Sequence, residues 1–119
     1  MQILVCGGRN FDDYDAVYDE LAFFYNHTTI SKVIHGGAKG ADTMADLVAT
    51  YLGIPIRVFS AEWNKYGKGA GHIRNKQMLD ELNEGDLVIA FKGGKGTANM
   101  VKIAKEAGFT VRERYEKAT

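Results

Sequence analysis

Three short apolar runs, each ending in a cluster of glycines, restrict the folds that are open to this chain. Each run and its cluster together cover residues 2–8, 32–40 and 86–96. The apolar residues in these runs are continuous rather than alternating, which is typical of strands covered on both faces of a parallel sheet. A helical pattern follows each cluster. The sequence therefore predicts repeated units of strand, glycine turn and helix.

Strands and helices alternate along the whole sequence. Predicted strands cover 2–6, 32–35, 56–59, 86–91 and 109–112; the first predicted helix follows an N-cap at Asp12 or Asp13, and the others cover 41–52, 71–84 and 97–107. This alternation predicts an α/β fold, a five-stranded parallel sheet with helices on both faces. Right-handed crossovers favour a doubly wound, Rossmann-like sheet in the order 3-2-1-4-5. We expect one domain over 1–113 and a polar C-terminal tail over 114–119.

Apolar residues at helical spacing predict the buried face of each helix. The predicted faces are Val17, Leu21 and Phe24 with Tyr14, Tyr18 and Tyr25 in the first helix; Met44, Leu47, Val48, Tyr51 and Leu52 in the second; Ile73, Gln77, Met78, Leu79 and Leu82 in the third; and Val101 and Ala104 in the fourth. Residues 60–69 are polar without periodicity, and they predict an irregular loop that is longer than usual.

The charge balance and the single cysteine narrow the function classes. Lys and Arg together number 15, as do Asp and Glu, so the formal net charge is zero. Non-specific binding to nucleic acid or to a membrane surface usually requires an excess of basic residues, and neither is favoured. Cys6 has no disulfide partner, which favours a reducing cytoplasm. We find no signal peptide and no apolar run as long as a transmembrane helix.

The predicted strand order brings the glycine turns together. Open α/β sheets bind ligands at the carboxyl ends of their strands, where the strand order reverses, here between the first and fourth strands. Glycines and helix starts expose backbone N–H groups there, which favours an anion. The predicted ligand-binding residues in these turns are Gly7, Gly8, Arg9 and Asn10; Gly36, Gly37, Lys39, Gly40 and Asp42; and Gly93, Gly94, Lys95, Gly96 and Thr97.

Two common nucleotide-binding motifs are absent from the sequence. No Gly-Lys pair is followed by Ser or Thr as a Walker A loop requires. Gly94 and Gly96 do not continue into G-x-G-x-x-G, and the second strand ends in His35 rather than in an acid for a ribose hydroxyl. A P-loop ATPase and an ordinary NAD dehydrogenase are therefore disfavoured.

Four motifs occur in order over nearly the whole chain. They are Gly7-Gly8-Arg9-Asn10-Phe11, His35-Gly36-Gly37-Ala38-Lys39-Gly40-Ala41-Asp42, Ala70-Gly71-x-x-Arg74-Asn75-x-x-Met78 and Gly93-Gly94-x-Gly96-Thr97-x-x-Met100. Together they resemble the SLOG superfamily, in particular its branch of small YspA/YpsA-related proteins. The resemblance implies a Rossmann-like fold that binds nucleotides or nucleotide-derived molecules with its glycine loops.

The same resemblance bears on catalysis. The LOG enzymes of this superfamily hydrolyse nucleoside monophosphates to base and ribose phosphate, and they carry Pro-Gly-Gly-x-Gly-Thr-x-x-Glu. This chain has Lys92 at the proline position and Met100 at the glutamate position. A thioether cannot act as an acid, a base or a charge stabiliser. We therefore expect binding without LOG-type hydrolysis.

The basic side chains in the turns suit phosphate groups, and each has a structural alternative. Arg9 can donate two parallel hydrogen bonds to a phosphate, or it can pair with Asp12 or Asp13 at the surface. Lys39 and Lys95 either contact the ligand or are solvated.

Other candidates lie on helices and in the predicted loop. Thr97 caps its helix, contacts a phosphate, or does both. Arg74 and Asn75 open the third helix on adjacent faces, so we expect one to face the ligand and the other to pack. Trp63, with Tyr66 nearby, stacks on a base or anchors the loop.

Acid–base and metal chemistry have weaker candidates. Asp42 favours the helix dipole, contacts a ribose hydroxyl or orients the loops, and with Glu62 it is a weak catalytic candidate. His35 at a strand exit is expected to be structural, and Cys6 is expected to lie in the core. The histidines and the cysteine lack metal-ligand spacing, so we predict no metal and no cofactor.

Three functions remain open from the sequence. The first is a sensor or sequestering protein for an ADP-ribose-like or cyclic nucleotide derivative. The second is a hydrolase of an N-glycosidic or phosphate bond that uses Glu62 or Asp42. The third is a single-stranded nucleic-acid binder, as the resemblance implies for another SLOG branch, although the zero net charge disfavours it. The expected partner is a small molecule rather than a membrane, and a homo-oligomer stays open.

Overall fold

A computed structural model describes residues 1–114 as alternating strands and helices. The strands are β1 (Gln2–Cys6), β2 (Lys32–His35), β3 (Ile56–Val58), β4 (Leu87–Phe91) and β5 (Thr110–Arg114), and the helices are α1 (Tyr14–His27), α2 (Ala41–Leu52), α3 (Trp63–Tyr66), α4 (Ala70–Asp80) and α5 (Lys95–Glu106). A 3₁₀ turn, Gly67–Gly69, joins α3 to α4. No helix in residues 1–114 is long and apolar enough to cross a membrane.

The five strands form one parallel sheet in the order β3-β2-β1-β4-β5. At its centre, Leu4 of β1 lies opposite Ile34 of β2 and Val88 of β4. This order confirms the predicted Rossmann-like sheet. It makes neighbours of the three strands that end in glycine turns, because β2 and β4 flank β1.

The two faces of the sheet build two separate apolar cores. Side chains alternate between the faces of a strand. Ile3 and Val5 of β1 therefore pack with α1 and α2, whereas Leu4 and Cys6 pack with α4 and α5. Met100 of α5 is completely buried in the second core. Cover on both faces explains why the strand sequences are continuously apolar.

The predicted buried faces of the helices are correct only in part. Leu47 and Tyr51 of α2 are 56% and 74% exposed, and Tyr14, Tyr25 and Gln77 are exposed as well. The residues that α2 buries are Ala41, Asp42, Ala45, Val48 and Ala49. Because alanines have short side chains, α2 packs closely on α1, β1 and β2 with its small face. Met44 and Leu52 pack against the same core as predicted, and only Leu47 and Tyr51 of the predicted face point outward.

Several element boundaries differ from the prediction. Residues 60–69 contain α3 and the 3₁₀ turn rather than an irregular loop, because single turns are too short to show a helical period in sequence. The third long helix ends at Asp80 instead of 84, and α5 begins at Lys95, ahead of Thr97. Arg114, assigned to the tail, is the last residue of β5. The rest of the predicted tail, 115–119, lies outside the described residues.

A buried carboxylate explains why β5 extends to Arg114. Glu20 of α1 is 3% exposed, and its carboxylate accepts hydrogen bonds from Arg112 and, at 3.1 Å, from Arg114. Arg114 also donates to the Ala16 carbonyl at 3.3 Å. A buried carboxylate needs such partners, since its desolvation is otherwise costly. The pairs attach the edge strand to α1.

Candidate ligand-binding site

A crevice of about 770 Å³ opens at the carboxyl end of the sheet, beside the reversal between β1 and β4. Its lining comes from the turns after β1, β2 and β4, from residues 60–63 after β3, and from α4. Cys6 at the end of β1 and Met78 of α4 supply apolar surface. Burial raises the pKa of the Cys6 thiol to about 12, so it stays protonated.

The turns after β1 and β4 touch through their glycines. The Gly8 N–H donates to the Lys92 carbonyl at 2.9 Å. A Cβ at Gly8 would lie 2.8 Å from that carbonyl oxygen, and a Cβ at Gly93 would lie 2.7 Å from the Gly8 nitrogen. Both distances are too short for real side chains. The two glycines therefore allow the strand exits to lie side by side.

The turn after β2 is fixed against the turn after β1 by Gly40. Gly40 has a φ of 81°, in the left-handed region that favours glycine. A Cβ there would collide with the Gly8 carbonyl oxygen, which already accepts the Ala41 N–H at 3.3 Å. Gly40 was predicted to bind ligand, but its role in the structure is to pack one turn on the other.

We expect Gly40→Ala to lower the free energy of unfolding by about 2–3 kcal/mol, from φ strain plus the collision with Gly8. Gly53→Ala is the matched control, because Gly53 has a φ of 75° but a Cβ there would meet no atom within 4 Å. The control should lose only about 1 kcal/mol, the cost of the left-handed backbone. Urea unfolding measures both, and equal losses would contradict a close packing of the turns.

The N-terminus of α5 faces the crevice without a side-chain cap. Its cap residue is Gly94, and the N–H groups of the first helical residues, Lys95 to Thr97, have no partner within the helix. A Cβ at Gly94 or Gly96 would meet no atom within 4 Å, so the space in front of this helix start is open. Free donors and the helix dipole together favour an anion here.

Two adjacent residues of α4 hold the walls of the crevice. Arg74 Nη1 donates to the Gly36 carbonyl at 2.6 Å and to the Phe59 carbonyl at 3.3 Å. Asn75 Nδ2 donates at 3.0 Å to the Gly96 carbonyl and to Asn99 Oδ1. Both side chains line the crevice, although we predicted that one would face the ligand and one would pack. Both are engaged with the protein.

Asp42 organises the turn after β2. It is 5% exposed, and its Oδ2 accepts the N–H groups of Gly36 at 3.1 Å and Ala38 at 3.2 Å. Burial raises the pKa of the Asp42 carboxyl above its usual range, while these two N–H groups and the nearby His35 and Arg74 act in the opposite direction. Its side chain lines the crevice, so Asp42 both shapes the loop and forms part of the crevice wall.

His35 has a structural role. Its Nδ1 accepts the Gly37 N–H at 3.0 Å, which leaves the proton on Nε2 for the Asp46 carboxylate at 2.7 Å. Both ring nitrogens are thus occupied within the protein, and His35 does not line the crevice. This agrees with the structural role expected at the strand exit.

Four exposed basic side chains line the crevice: Arg9, Lys39, Lys68 and Lys95. None of them forms an ion pair with a described residue; Arg9 does not pair with Asp12 or Asp13. Among the lining residues within 1–114, only Asp42 is acidic. A protein of zero formal net charge therefore concentrates unpaired positive charge at one opening.

Most predicted ligand-binding residues meet in this crevice. They are Gly7, Gly8, Arg9, Gly36, Gly37, Lys39, Asp42, Trp63, Arg74, Asn75, Gly94, Lys95, Gly96 and Thr97. Asn10, Gly40 and Gly93 belong to the same turns but do not line it. Glu62 and Tyr66 also lie outside: Glu62 is exposed at the start of α3, where its carbonyl accepts the Tyr66 N–H.

Other lining residues were not predicted. They are Cys6, Ala38, Ser60, Ala61, Lys68, Gly71, His72 and Met78, of which Cys6 was expected to lie only in the core. Gly71 and Met78 lie in the third sequence motif, so the motif was a usable signal. Lys68 and His72 reach the crevice because the 3₁₀ turn leads directly into α4; the glycines at 67, 69 and 71 marked a loop there but not its approach to the crevice. Within residues 1–114, no group of His, Cys, Asp and Glu is placed to hold a metal ion.

Comparison with known proteins identifies the family of this chain. A family model described as the YspA, cpYpsA-related SLOG family matches residues 1–66, more than half of the 119-residue chain. The chain belongs to this SLOG family. It is also 32% identical over 118 residues to the Gene 61 protein of Mycobacterium phage D29. This match covers 92% of the present chain and 93% of the phage protein. No solved structure matches it.

Membership in the SLOG family supports a nucleotide-related function in general terms. The matched residues contain the turns after β1 and β2, with Arg9 and Asp42, while α4 and the turn after β4 follow beyond them. At the position where the LOG enzymes of the superfamily have glutamate, this SLOG protein has Met100, which is fully buried and does not line the crevice.

Proposed function

We propose that this SLOG protein binds a nucleotide or a nucleotide-derived small molecule, of an ADP-ribose-like or cyclic kind, and acts as a sensor or sequestering protein in the cytoplasm. One observation carries the proposal: the uncapped start of α5 meets Arg9, Lys39, Lys68 and Lys95, none of which has an ion pair within residues 1–114, in a single crevice. Backbone N–H groups at a helix start and basic side chains are the groups that proteins use together for phosphate.

The size and lining of the crevice support a ligand larger than phosphate alone. Its volume of about 770 Å³ lies within the usual range for small-molecule and cofactor sites. Trp63 lines it and is 59% exposed, which leaves an aromatic face for a base. A Cβ at Gly71 would lie 3.6 Å from the Trp63 ring, so the indole rests on the start of α4.

The proposal is tested by identifying what the protein holds. Purified protein is denatured, and the released small molecules are analysed by mass spectrometry. Titration calorimetry with AMP, ADP-ribose and cyclic AMP follows. We expect a phosphorylated nucleotide derivative among the released molecules, or binding of at least one probe. A protein that releases none and binds none would contradict the proposal.

The proposal is binding without turnover. Three features support it: Met100 is buried, Glu62 lies outside the crevice, and Asp42 Oδ2 is held by two backbone N–H groups. General acid–base catalysis needs a titratable group within reach of the scissile bond. AMP, ADP-ribose and NAD should be recovered intact by chromatography. Release of adenine or ribose phosphate that is abolished by Asp42→Asn would favour the hydrolase instead.

Arg9→Ala should weaken the binding of a phosphorylated ligand by about 1.5–3 kcal/mol, the range for hydrogen bonds to charged groups. Arg9 is exposed, lines the crevice and has no ion pair with a described residue, so its loss should leave folding unaffected. Arg57→Ala is the control, because Arg57 pairs with Glu81 at 3.4 Å outside the crevice. Calorimetry that gives both variants the same dissociation constant would remove Arg9 from the site.

A further inference from the structure

Asp42 is an acceptor in a crevice of donors. The other charged side chains that line the crevice within residues 1–114 are basic, and the open backbone groups at the α5 start are N–H groups. An ionised carboxylate at this place repels a phosphate that comes close to it. A ligand that consists only of phosphate groups therefore leaves the Asp42 side of the crevice unmatched.

One oxygen of Asp42 is already used and the other is not. Oδ2 accepts the Gly36 and Ala38 N–H groups, whereas Oδ1 accepts no hydrogen bond from any described residue. Every side-chain oxygen or nitrogen that is fully buried within residues 1–114 has a partner, so Oδ1 must reach the crevice. The residue as a whole is only 5% exposed. A carboxylate oxygen in so dry a place gains strongly from a donor supplied by the ligand.

We propose that Asp42 Oδ1 accepts a hydrogen bond from a sugar hydroxyl, so that the crevice selects ribose-containing phosphates over their deoxy analogues. This inference rests on the proposed function, since it concerns the same ligand. It accounts for the coexistence of one buried carboxylate with several cations: the cations bind phosphate, and the carboxylate binds the hydroxyl of the attached sugar. Ribose offers two such hydroxyls near the phosphate.

Because Asp42 is held in a fixed position, it should discriminate strongly between ribose-containing phosphates and their deoxy analogues. Its two backbone hydrogen bonds and its burial hold the carboxylate in place, so Oδ1 cannot turn to another donor of the protein when the hydroxyl is missing. A site built to bond a substrate hydroxyl rejects the analogue that lacks it, because a buried polar group is then left unpaired. A deoxy analogue should therefore bind at least about 10-fold more weakly, as expected for a hydrogen bond to a charged group.

The test compares AMP and ADP with their 2′-deoxy and 3′-deoxy analogues by calorimetry. We expect one deoxy series to bind at least about 10-fold more weakly than the ribose form. In Asp42→Asn this ratio should fall to about 3-fold or less, because the amide oxygen still accepts the loop N–H groups while the charge facing the hydroxyl is gone. Asp80→Asn is the control: it removes the same charge from the exposed end of α4, where Asp80 pairs with Lys76 outside the crevice, and it should keep the wild-type ratio.

Each outcome has a distinct meaning. Equal binding of the ribose and both deoxy forms by the wild type would overturn this inference and leave the proposed function standing. A wild-type ratio retained in folded Asp42→Asn would assign the selection to another residue and overturn it as well. If AMP and ADP do not bind, and the protein also releases no nucleotide derivative and binds neither ADP-ribose nor cyclic AMP, both proposals fail together. If Asp42→Asn does not fold, equal binding of the ribose and both deoxy forms by the wild type still overturns the inference.

Discussion

Met100→Glu, which restores the glutamate of the LOG motif, should destabilise the protein by about 4 kcal/mol near neutral pH without creating a hydrolase. Met100 contacts neither water nor the crevice. Its side chain is 0% exposed and packs in the core between the sheet and the helices α4 and α5. A carboxylate placed there loses its hydration, so its pKa rises in the folded state. Because the folded protein then holds the proton more tightly than the unfolded chain, the lost stability should return as the pH falls through the raised pKa.

Met100→Gln and Met100→Leu complete this experiment. Glutamine is polar but does not titrate, so its loss of stability should not depend on pH, and leucine should cost less than about 1.5 kcal/mol. Urea unfolding at neutral and mildly acidic pH measures the effect, and incubation with AMP measures hydrolysis. Free adenine produced by Met100→Glu would show that the position opens to the ligand, contrary to the structure.

Gly94→Val should weaken nucleotide binding by about 1,000-fold, or about 4 kcal/mol, while the protein stays folded. A Cβ at Gly94 would meet no protein atom within 4 Å, so the added methyl groups enter the open crevice in front of the α5 start. They occupy the space through which a phosphate would reach the N–H groups of the helix. Gly94 has a φ of −97°, so no left-handed backbone has to be strained.

Ala98→Val is the matched control for this effect. Ala98 is exposed on α5 one turn beyond Gly94 and does not line the crevice, so the variant adds two methyl groups and places a valine on the same helix at a distance from the proposed site. It should bind as the wild type does. Circular dichroism and thermal unfolding establish that both variants fold. Normal binding by folded Gly94→Val would make the turn after β4 purely structural.

The fold was predictable because its signals are local and repeated. Continuous apolar strands, glycine turns and alternating helices left the parallel sheet and its order as the consistent solution, and the structure has that order. The helix faces were less predictable. Leu47 and Tyr51 have helical spacing, but the sheet is contacted by the alanine face of the same helix. Hydrophobic periodicity predicts that a segment is helical. Which of two apolar faces the helix buries depends on the shape of the surface against which it packs.

The sequence predicted where the candidate crevice lies, but it did not predict the hydrogen bonds within it. Glycine turns at strand exits located the crevice, because parallel strands end at one edge. Arg74 and Asn75 donate to backbone carbonyls 38 and 21 residues away. Because every residue has a backbone carbonyl, the residue types do not indicate which carbonyl accepts the hydrogen bond. The same limit applies to Asp42: its type suggested several roles, and only the two N–H groups on Oδ2 show which oxygen is committed.

The hydrogen bonds from α4 couple two walls of the crevice mechanically. Arg74 holds the turn after β2 and Asn75 holds the first turn of α5, so one helix spans the opening. Because these bonds join protein groups to one another, they order the walls without needing contacts from a ligand. Binding then requires little loss of conformational entropy in the loops, so more of the interaction energy contributes to affinity and to discrimination between ligands. A displacement of α4 would also move both walls at once, so the crevice would open or close as a unit.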